Sequence, residues 1–354
     1  MVQEMTVRLG AITRRGHAEA VFDAFGSFWG WFSLSDLILT DLLTTVTEFI
    51  GMTAGLSIFG IPPLLTVIIV IIFIMVINLQ GRYWTWEKIV LALCTINLIY
   101  VPAAFLVHPP VSAIIHNGLI PNLPGFNNSV FFFIMANIGT TIAPWMIFFQ
   151  QSSVADKNLQ PKDIPFERAD TAVGSFFTVV CAVFCIIVAA TLLHGVNVQD
   201  AAGAAKLLMP INKYVGSFVA IGLFDAGLLG AICISLASAW AWGEVFGWPH
   251  SLNNRVRQAP WFYLVRLGIL AVAGTIVLIP GAPLVLITLF VQVIAVTLLP
   301  AALVFLILLL NEKELVGRYK NTRAQNVVAF TIVGMVIAMS TLYAVSALFP
   351  GLFQ

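Results

Sequence analysis

Residues 137–153 read Asn137-Ile138-Gly139-Thr140-Thr141-Ile142-Ala143-Pro144-Trp145-Met146-Ile147-Phe148-Phe149-Gln150-Gln151-Ser152-Ser153, and their reading decides the fold. They sit in an apolar block from about 130 to 153, long enough for a helix across roughly 30 Å of hydrocarbon. Pro144, in mid-block, removes one backbone hydrogen bond and clashes with the carbonyl one turn earlier. Gly139, Thr140 and Thr141 ahead of it ease local unwinding. Two structures fit: a continuous helix with a proline kink, or a discontinuous helix whose freed carbonyl oxygens line an ion site near the midplane.

The rest of the chain repeats such blocks. Of 354 residues, 60% are hydrophobic and 9% charged, with a mean hydropathy of +0.99. A soluble domain runs near a quarter charged. Nine spans are expected, at about 32–58, 62–80, 87–107, 130–153, 171–194, 215–241, 261–280, 284–310 and 326–349. Lipid offers no partners for open backbone groups, so the spans must be helices. A barrel would show short alternating strands instead. Gly60-Ile61-Pro62-Pro63, the Pro/Asn-rich stretch 108–128 and Pro280-Gly281-Ala282-Pro283 punctuate the connections.

Lysine and arginine set an expected orientation. If the segment before the first span is cytoplasmic, the inside holds Arg8, Arg14, Arg15, Arg82, Lys88, Lys157, Lys162, Arg168, Arg255, Arg257, Arg266, Lys313, Arg318, Lys320 and Arg323, against Lys206 and Lys213 outside. That bias, 15 of the 17 basic residues, puts the N-terminal segment in the cytoplasm. No basic region points to nucleic acid. Cys94, Cys181, Cys185 and Cys233 fall within spans and read as buried small hydrophobes, since no second thiol pair lies near Cys181 and Cys185. Residues 1–25 hold no full span: Met1–Gly10 reads as the end of a helix and Thr13-Arg14-Arg15-Gly16 as a basic turn.

Acidic groups inside spans are expensive and mark pathways or sites. Asp36 is expected to be solvated at the edge of the first span. Asp41, Thr44, Thr45 and Glu48 share one helical face deeper in, either as an ion pathway or as interhelical glue. Glu244 is expected at a span boundary, in a capping or interfacial role. No paired His/Glu metal motif or nucleophile constellation suggests an enzyme.

Thr47-Glu48-Phe49-Ile50-Gly51 with Phe59-Gly60-Ile61-Pro62 resembles the third transmembrane helix of the NRAMP metal transporters, and Asn137–Trp145 their broken sixth helix. Leu228-Leu229-Gly230-Ala231, Ala237-Ser238-Ala239-Trp240 and Gly243-Glu244-Val245-Phe246-Gly247-Trp248-Pro249 resemble the eighth helix and its exit. Leu299-Pro300, Asn311-Glu312-Lys313-Glu314-Leu315 and Asn321-Thr322-Arg323-Ala324-Gln325-Asn326 resemble the tenth helix and the loop after it. The matches run in family order along almost the whole chain. The resemblance implies an all-α, polytopic membrane protein of the LeuT-like inverted-repeat fold. Residues 1–354 would be a single transporter domain: 1–107 the remainder of the first repeat, 130–310 the second and 326–349 an extra helix. By the same resemblance the spans are family helices three to eleven and residues 1–12 the tail of helix two. Helix one, with its Asp-Pro-Gly-Asn metal motif, has no counterpart, so an N-terminal truncation is expected.

Departures from the family refine the implied substrate. The family's Met-Pro-His reads Ala143-Pro144-Trp145 here. A thioether favours soft ions, whereas Mg²⁺ prefers oxygen and sheds water reluctantly. This resembles the family's magnesium-transporting branch, which implies Mg²⁺, and also Mn²⁺, as transported substrate with no cofactor. The resemblance places the Thr140 carbonyl, Ala143 and Gln292 at the metal site, with the helix break at Gly139 and Pro144. It places Glu48, Thr45, Asp41, Thr141, Trp145 and Gln150 along the ion pathway. Trp145 and Gln150 stand where the family has histidines, and Thr45 where it has an acid; only Glu48 keeps its family identity. His17, His108, His116, His194 and His250 lie in expected loops or span ends, so transport uncoupled from protons is implied. The alternatives are a proton-coupled Mn²⁺/Fe²⁺ importer of the ordinary family type and an amino-acid transporter of the same fold. The implied partners are the metal ion and the bilayer, and the implied location is the cell membrane, a prokaryotic inner membrane.

Overall fold

Where glycine and proline interrupt the apolar blocks, helices end. The computed structural model describes residues 1–79, 81–120, 128–193 and 201–348, and no strand occurs among them. The helices are α1 (Val2–Thr13), α2 (His17–Phe25), α3 (Ser27–Ser57), α4 (Pro63–Asn78) and α5 (Tyr83–Leu106, with one 3₁₀ turn). After them come α6 (Val111–Leu119), α7 (Asn128–Thr141), α8 (Pro144–Asp156), α9 (Ile164–Leu192) and α10 (Ala201–Ile211). The last are α11 (Lys213–Phe246), α12 (Pro260–Val277), α13 (Leu284–Asn311) and α14 (Arg323–Leu348). Pro63, Pro144 and Pro260 open their helices, where the missing N–H is harmless. The Asn212 side chain caps α11 by accepting the N–H groups of Tyr214 (3.0 Å) and Val215 (3.3 Å). Gly247, with a φ of 66°, ends it.

Each of the nine expected spans falls on a helix, and eight are long and apolar enough to cross a membrane. The second is shorter than expected. α4 has 16 residues, about 24 Å at about 1.5 Å per residue, and stops at Asn78, whose side-chain amide turns back to the Ile74 carbonyl. A short span is accommodated by local thinning of the bilayer. The first 25 residues form α1 and α2 around a turn at Arg14, whose φ of 54° is left-handed, and Met5–Ala11 of α1 are buried throughout.

The core centres on α3 and α11, which cross along a seam of small residues. A Cβ on Gly55 would lie 2.5 Å from the Ala220 carbonyl oxygen, and one on Gly227 2.6 Å from that of Glu48. Lipid tails are as apolar as leucine, so helices in a bilayer associate through such close backbone approach rather than through apolar burial. By contrast, α9 buries only Ile164 and Val188. Its Phe166, Val173, Phe176, Phe177, Val179, Val183 and Ile186 are exposed, an outward face suited to lipid.

One end of the bundle gathers the basic loops. There Arg168 meets Glu4 (2.7 Å), Lys157 meets Glu87 (2.6 Å), and Arg8 donates to Asn321 Oδ1 (2.6 Å) and the Tyr319 carbonyl (2.9 Å). Arg266, counted among the cytoplasmic cations and lying within the expected span 261–280, is fully buried on α12. One expectation about this end is corrected. Asp36 is not solvated but 7% exposed, because α2 and α11 pack beside the start of α3 and exclude water there.

Candidate functional site

The fourth span is broken rather than kinked. Ile142 N–H still reaches the Ile138 carbonyl (3.1 Å), and the next residue leaves the helix. Ala143 is extended, with φ −116° and ψ 153°. Pro144 has no N–H for the Thr140 carbonyl, and backbone bonding resumes with Met146 N–H to the Ala143 carbonyl (3.1 Å). The hydroxyls of Thr140 and Thr141 both donate to the Asn137 carbonyl at 2.8 Å, so they are engaged within their own helix. Thr140 and Thr141 are exposed, whereas Ala143 is 3% exposed. Gly139 presses on α13, where an added Cβ would collide with the Gln292 carbonyl oxygen. Gly139, Thr140, Ala143 and Pro144 thus follow one another through the break, and the Gln292 backbone lies against Gly139.

The acidic face of α3 is shut away from solvent. Ser33, Asp36, Thr40, Asp41, Thr44 and Thr45 are buried along it. Asp41 accepts a hydrogen bond from Ser238 of α11, and its other oxygen, Oδ1, has no partner among the described residues. The Thr45 hydroxyl returns to the Asp41 carbonyl (2.7 Å). Glu48 lies against α11, where a Cβ on Gly230 would sit 2.5 Å from its Oε1. No hydrogen bond or ion pair among the described residues joins Asp41, Thr45 or Glu48 to the break.

Sequence reasoning missed Arg266. Its Nη2 donates to the Ile232 carbonyl (3.1 Å) and reaches Ser235 Oγ (3.5 Å), while Nε and Nη1 have no partner among the described residues. A buried guanidinium is costly. Its signal in the sequence is an arginine followed by an unbroken apolar run and preceded by more than one helical turn after Pro260.

Below the break, α8 is tied to its surroundings residue by residue. Trp145 packs edge-on against Phe149 (6.2 Å between centroids), which in turn meets Trp240 (5.6 Å) and Trp86 (6.5 Å). Gln150 accepts from the Thr6 hydroxyl (3.2 Å) and extends to Thr171 (3.5 Å), away from the break. Gln151 accepts from His17 Nδ1 (2.9 Å) and donates to the Arg15 carbonyl (3.1 Å). Ser152 donates to Glu244 (2.5 Å), and Ser153 pairs with the Tyr83 hydroxyl (2.6 Å). Asp156 accepts from the Ser251 hydroxyl and from Leu252 N–H (2.9 Å).

His17 is therefore no loop histidine. It is fully buried at the start of α2, against the Phe148 ring. Burial pushes its pKa down to about 4, against a smaller opposing effect of the Gln151 bond. His108 and His116 are exposed and His250 half-buried; His194 lies outside the described residues. Glu244 is buried near Gly16, at the N-terminal end of α2. Among the described residues no group of three or more His, Cys, Asp or Glu is placed to hold a metal ion. At the break, oxygen ligands would have to come from carbonyls and amides.

Residues 1–346 match the family described as natural resistance-associated macrophage protein-like. The chain belongs to the NRAMP family. It is similar to the divalent metal cation transporter MntH of Caldanaerobacter subterraneus subsp. tengcongensis, 23% identical over 96% of this chain and 81% of the relative. It is likewise similar to the MntH of Listeria welshimeri, 24% identical over 97% of this chain and 79% of the relative. Among solved structures, a manganese transporter of Eremococcus coleocola matches with a TM-score of 0.78 at 17% identity, covering 99% of this chain and 79% of that one. The NRAMP chain described here is thus a multi-pass, all-α membrane protein of the LeuT-like fold. Its family comprises transporters rather than enzymes, with the metal as cargo and not as cofactor.

Proposed function

We propose that this NRAMP protein carries divalent metal cations across the cell membrane, with Mg²⁺ preferred, Mn²⁺ accepted and no proton coupling. The relatives named as divalent metal cation and manganese transporters support the ion class. Ala143 carries the finer reading. It is buried at the break, beside the Thr140 carbonyl to which Pro144 has no N–H to give, and offers no thioether. A site of carbonyl and amide oxygens suits a hard ion that keeps part of its water. Asp41, Glu48, Thr45, Thr141, Trp145 and Gln150 are proposed along the route. The absence of proton coupling is supported by Trp145 and Gln150, which stand where the family resemblance has histidines, and by His17, the one fully buried histidine among the described residues, which stays neutral across the physiological range. With the basic end in the cytoplasm, an inside-negative potential drives a divalent ion inward by about 4.6 kcal/mol per 100 mV, twice the single-charge figure.

Replacing Ala143 by Met tests the proposal in proteoliposomes. Ala143→Met should lower Mg²⁺ uptake while raising Cd²⁺ binding, two opposite effects that misfolding cannot produce together. An unchanged ratio, or no Mg²⁺ uptake by the wild type, would end the magnesium reading. A second reading, proton-coupled Mn²⁺ uptake, is favoured by the buried carboxylates of α3 and by Arg266 on α12. Mn²⁺ uptake that follows an imposed pH gradient at zero membrane potential would establish it.

A further inference from the structure

A cavity of about 580 Å³ opens at the basic end, between α2, the last turns of α8 and the turn after α11. It lies apart from the break. Its wall carries the carboxylates of Glu19, Asp156 and Glu244 against the single cation of Arg14. Asp156 has both oxygens engaged, by Ser251 and Leu252, and contributes fixed negative charge only. Glu19 is paired loosely with Arg15, at 3.5 Å, while Arg15 holds Asp23 at 2.7 Å. Glu244 is more than nine-tenths buried. Ser152 satisfies one of its oxygens, and Oε2 has no partner among the described residues. In the same lining His250 Nδ1 donates to the Trp248 carbonyl (2.5 Å), which leaves Nε2 as an acceptor.

We propose that this cavity binds one hydrated divalent cation of the Mg²⁺ type between Glu19 and Glu244. Among the described residues no trio of carboxylates and imidazoles is placed to strip such an ion of its water. Mg²⁺ is commonly held through one or two carboxylates with several waters retained. Six waters at about 30 Å³ each occupy about 180 Å³, well within the space available. The waters would donate to Glu244 Oε2, to Glu19 and to His250 Nε2, groups that all accept. The surrounding loops are basic and repel cations, so this acidic recess is the place on that face where one is held. The inference does not depend on which ion crosses the membrane.

The test is Mn²⁺ binding to the full chain in detergent micelles, counted by electron paramagnetic resonance and competed with Mg²⁺. Glu19→Gln should weaken one bound Mn²⁺ about tenfold, and Glu19→Gln with Glu244→Gln should remove it, one ion fewer per chain. Mg²⁺ should displace that ion over the same concentration range as Mn²⁺ binds. Unchanged stoichiometry and affinity in these variants overturns the proposal. If Glu244→Gln fails to fold, Glu19→Lys on the half-exposed face of α2 decides instead: retention of the ion there is equally fatal. Binding is read at equilibrium with no gradient, so failed uptake leaves it standing, and unaltered binding sinks the cavity even where uptake succeeds.

Discussion

α7 and α8 belong to one span, yet their polar side chains go to different places. In α7 the hydroxyls of Thr140 and Thr141 return to the Asn137 carbonyl of their own helix, and the close tie to a neighbour is the backbone contact of Gly139 with Gln292. In α8 and at its C-terminal end, Gln151, Ser152, Ser153, Asp156 and Lys157 bind the α1–α2 turn, α11, α5, the turn after α11 and α5 again. Each such bond contributes about 1 kcal/mol net, so the lower half is anchored several times over. The proposed ion-binding carbonyls therefore sit where an anchored helix meets one held mainly by shape. That arrangement lets the break change geometry while its lower edge stays in place.

The largest expected effect removes the shape contact. Gly139→Val drives a Cβ into the Gln292 carbonyl, and backbone on both sides must move. It should destabilise by at least about 3 kcal/mol and abolish uptake. A variant that melts and transports like the wild type would show that the two helices do not rely on this contact. Next comes the anchored side. Between pH 6.5 and about 4 the unfolded chain protonates His17 whereas the folded chain does not. Stability is thus complete above pH 6.5 and falls as the pH drops through that window, by about 3 kcal/mol in all. His17→Gln should flatten that part of the melting-temperature profile, and an identical slope in both proteins would count against the buried neutral imidazole. Ser152→Ala leaves Glu244 Oε1 without its donor and should cost about 1–2 kcal/mol in thermal unfolding. The smallest effect is expected back at the break. Thr140→Ala and Thr141→Ala should stay within about 0.5 kcal/mol of wild type and keep uptake within about twofold, since the carbonyls rather than the hydroxyls are the proposed ligands. A large loss of uptake would reassign those hydroxyls to the ion.

The same contrast explains what sequence could and could not supply. Spans are local: twenty apolar residues bounded by Gly60-Ile61-Pro62 or Pro280-Gly281 announce a helix wherever the chain runs. α4 fell short of its expected length by three residues, more than α12 did, and Asn78 ends it with a side-chain bond to its own backbone. The break too is local, because Pro144 cannot donate and Gly139 can approach a neighbour closely. Burial of polar groups is not local. Asp36 and Arg266 lie near span ends by position, where a charge is ordinarily solvated, and only the packing of α2, α11 and α12 shuts them in. His17 follows a basic turn and reads as exposed; Phe148 and Gln151, more than a hundred residues later, cover it. For the acidic face of α3, helical spacing grouped Asp41 and Thr45, and both are buried, with Asp41 accepting from Ser238 of α11.

The seam between α3 and α11 also has a consequence in time. Asp41 and Ser238 are 197 residues apart. At a synthesis rate of about 5–20 residues per second, roughly 10–40 s separate the emergence of the carboxylate from that of its partner. During that interval α3 has neither the glycines of α11 to lie against nor a hydroxyl for Asp41. The newly made helix must wait at the insertion machinery or at the membrane surface, and the step that completes the core is the arrival of a helix from the far half of the chain.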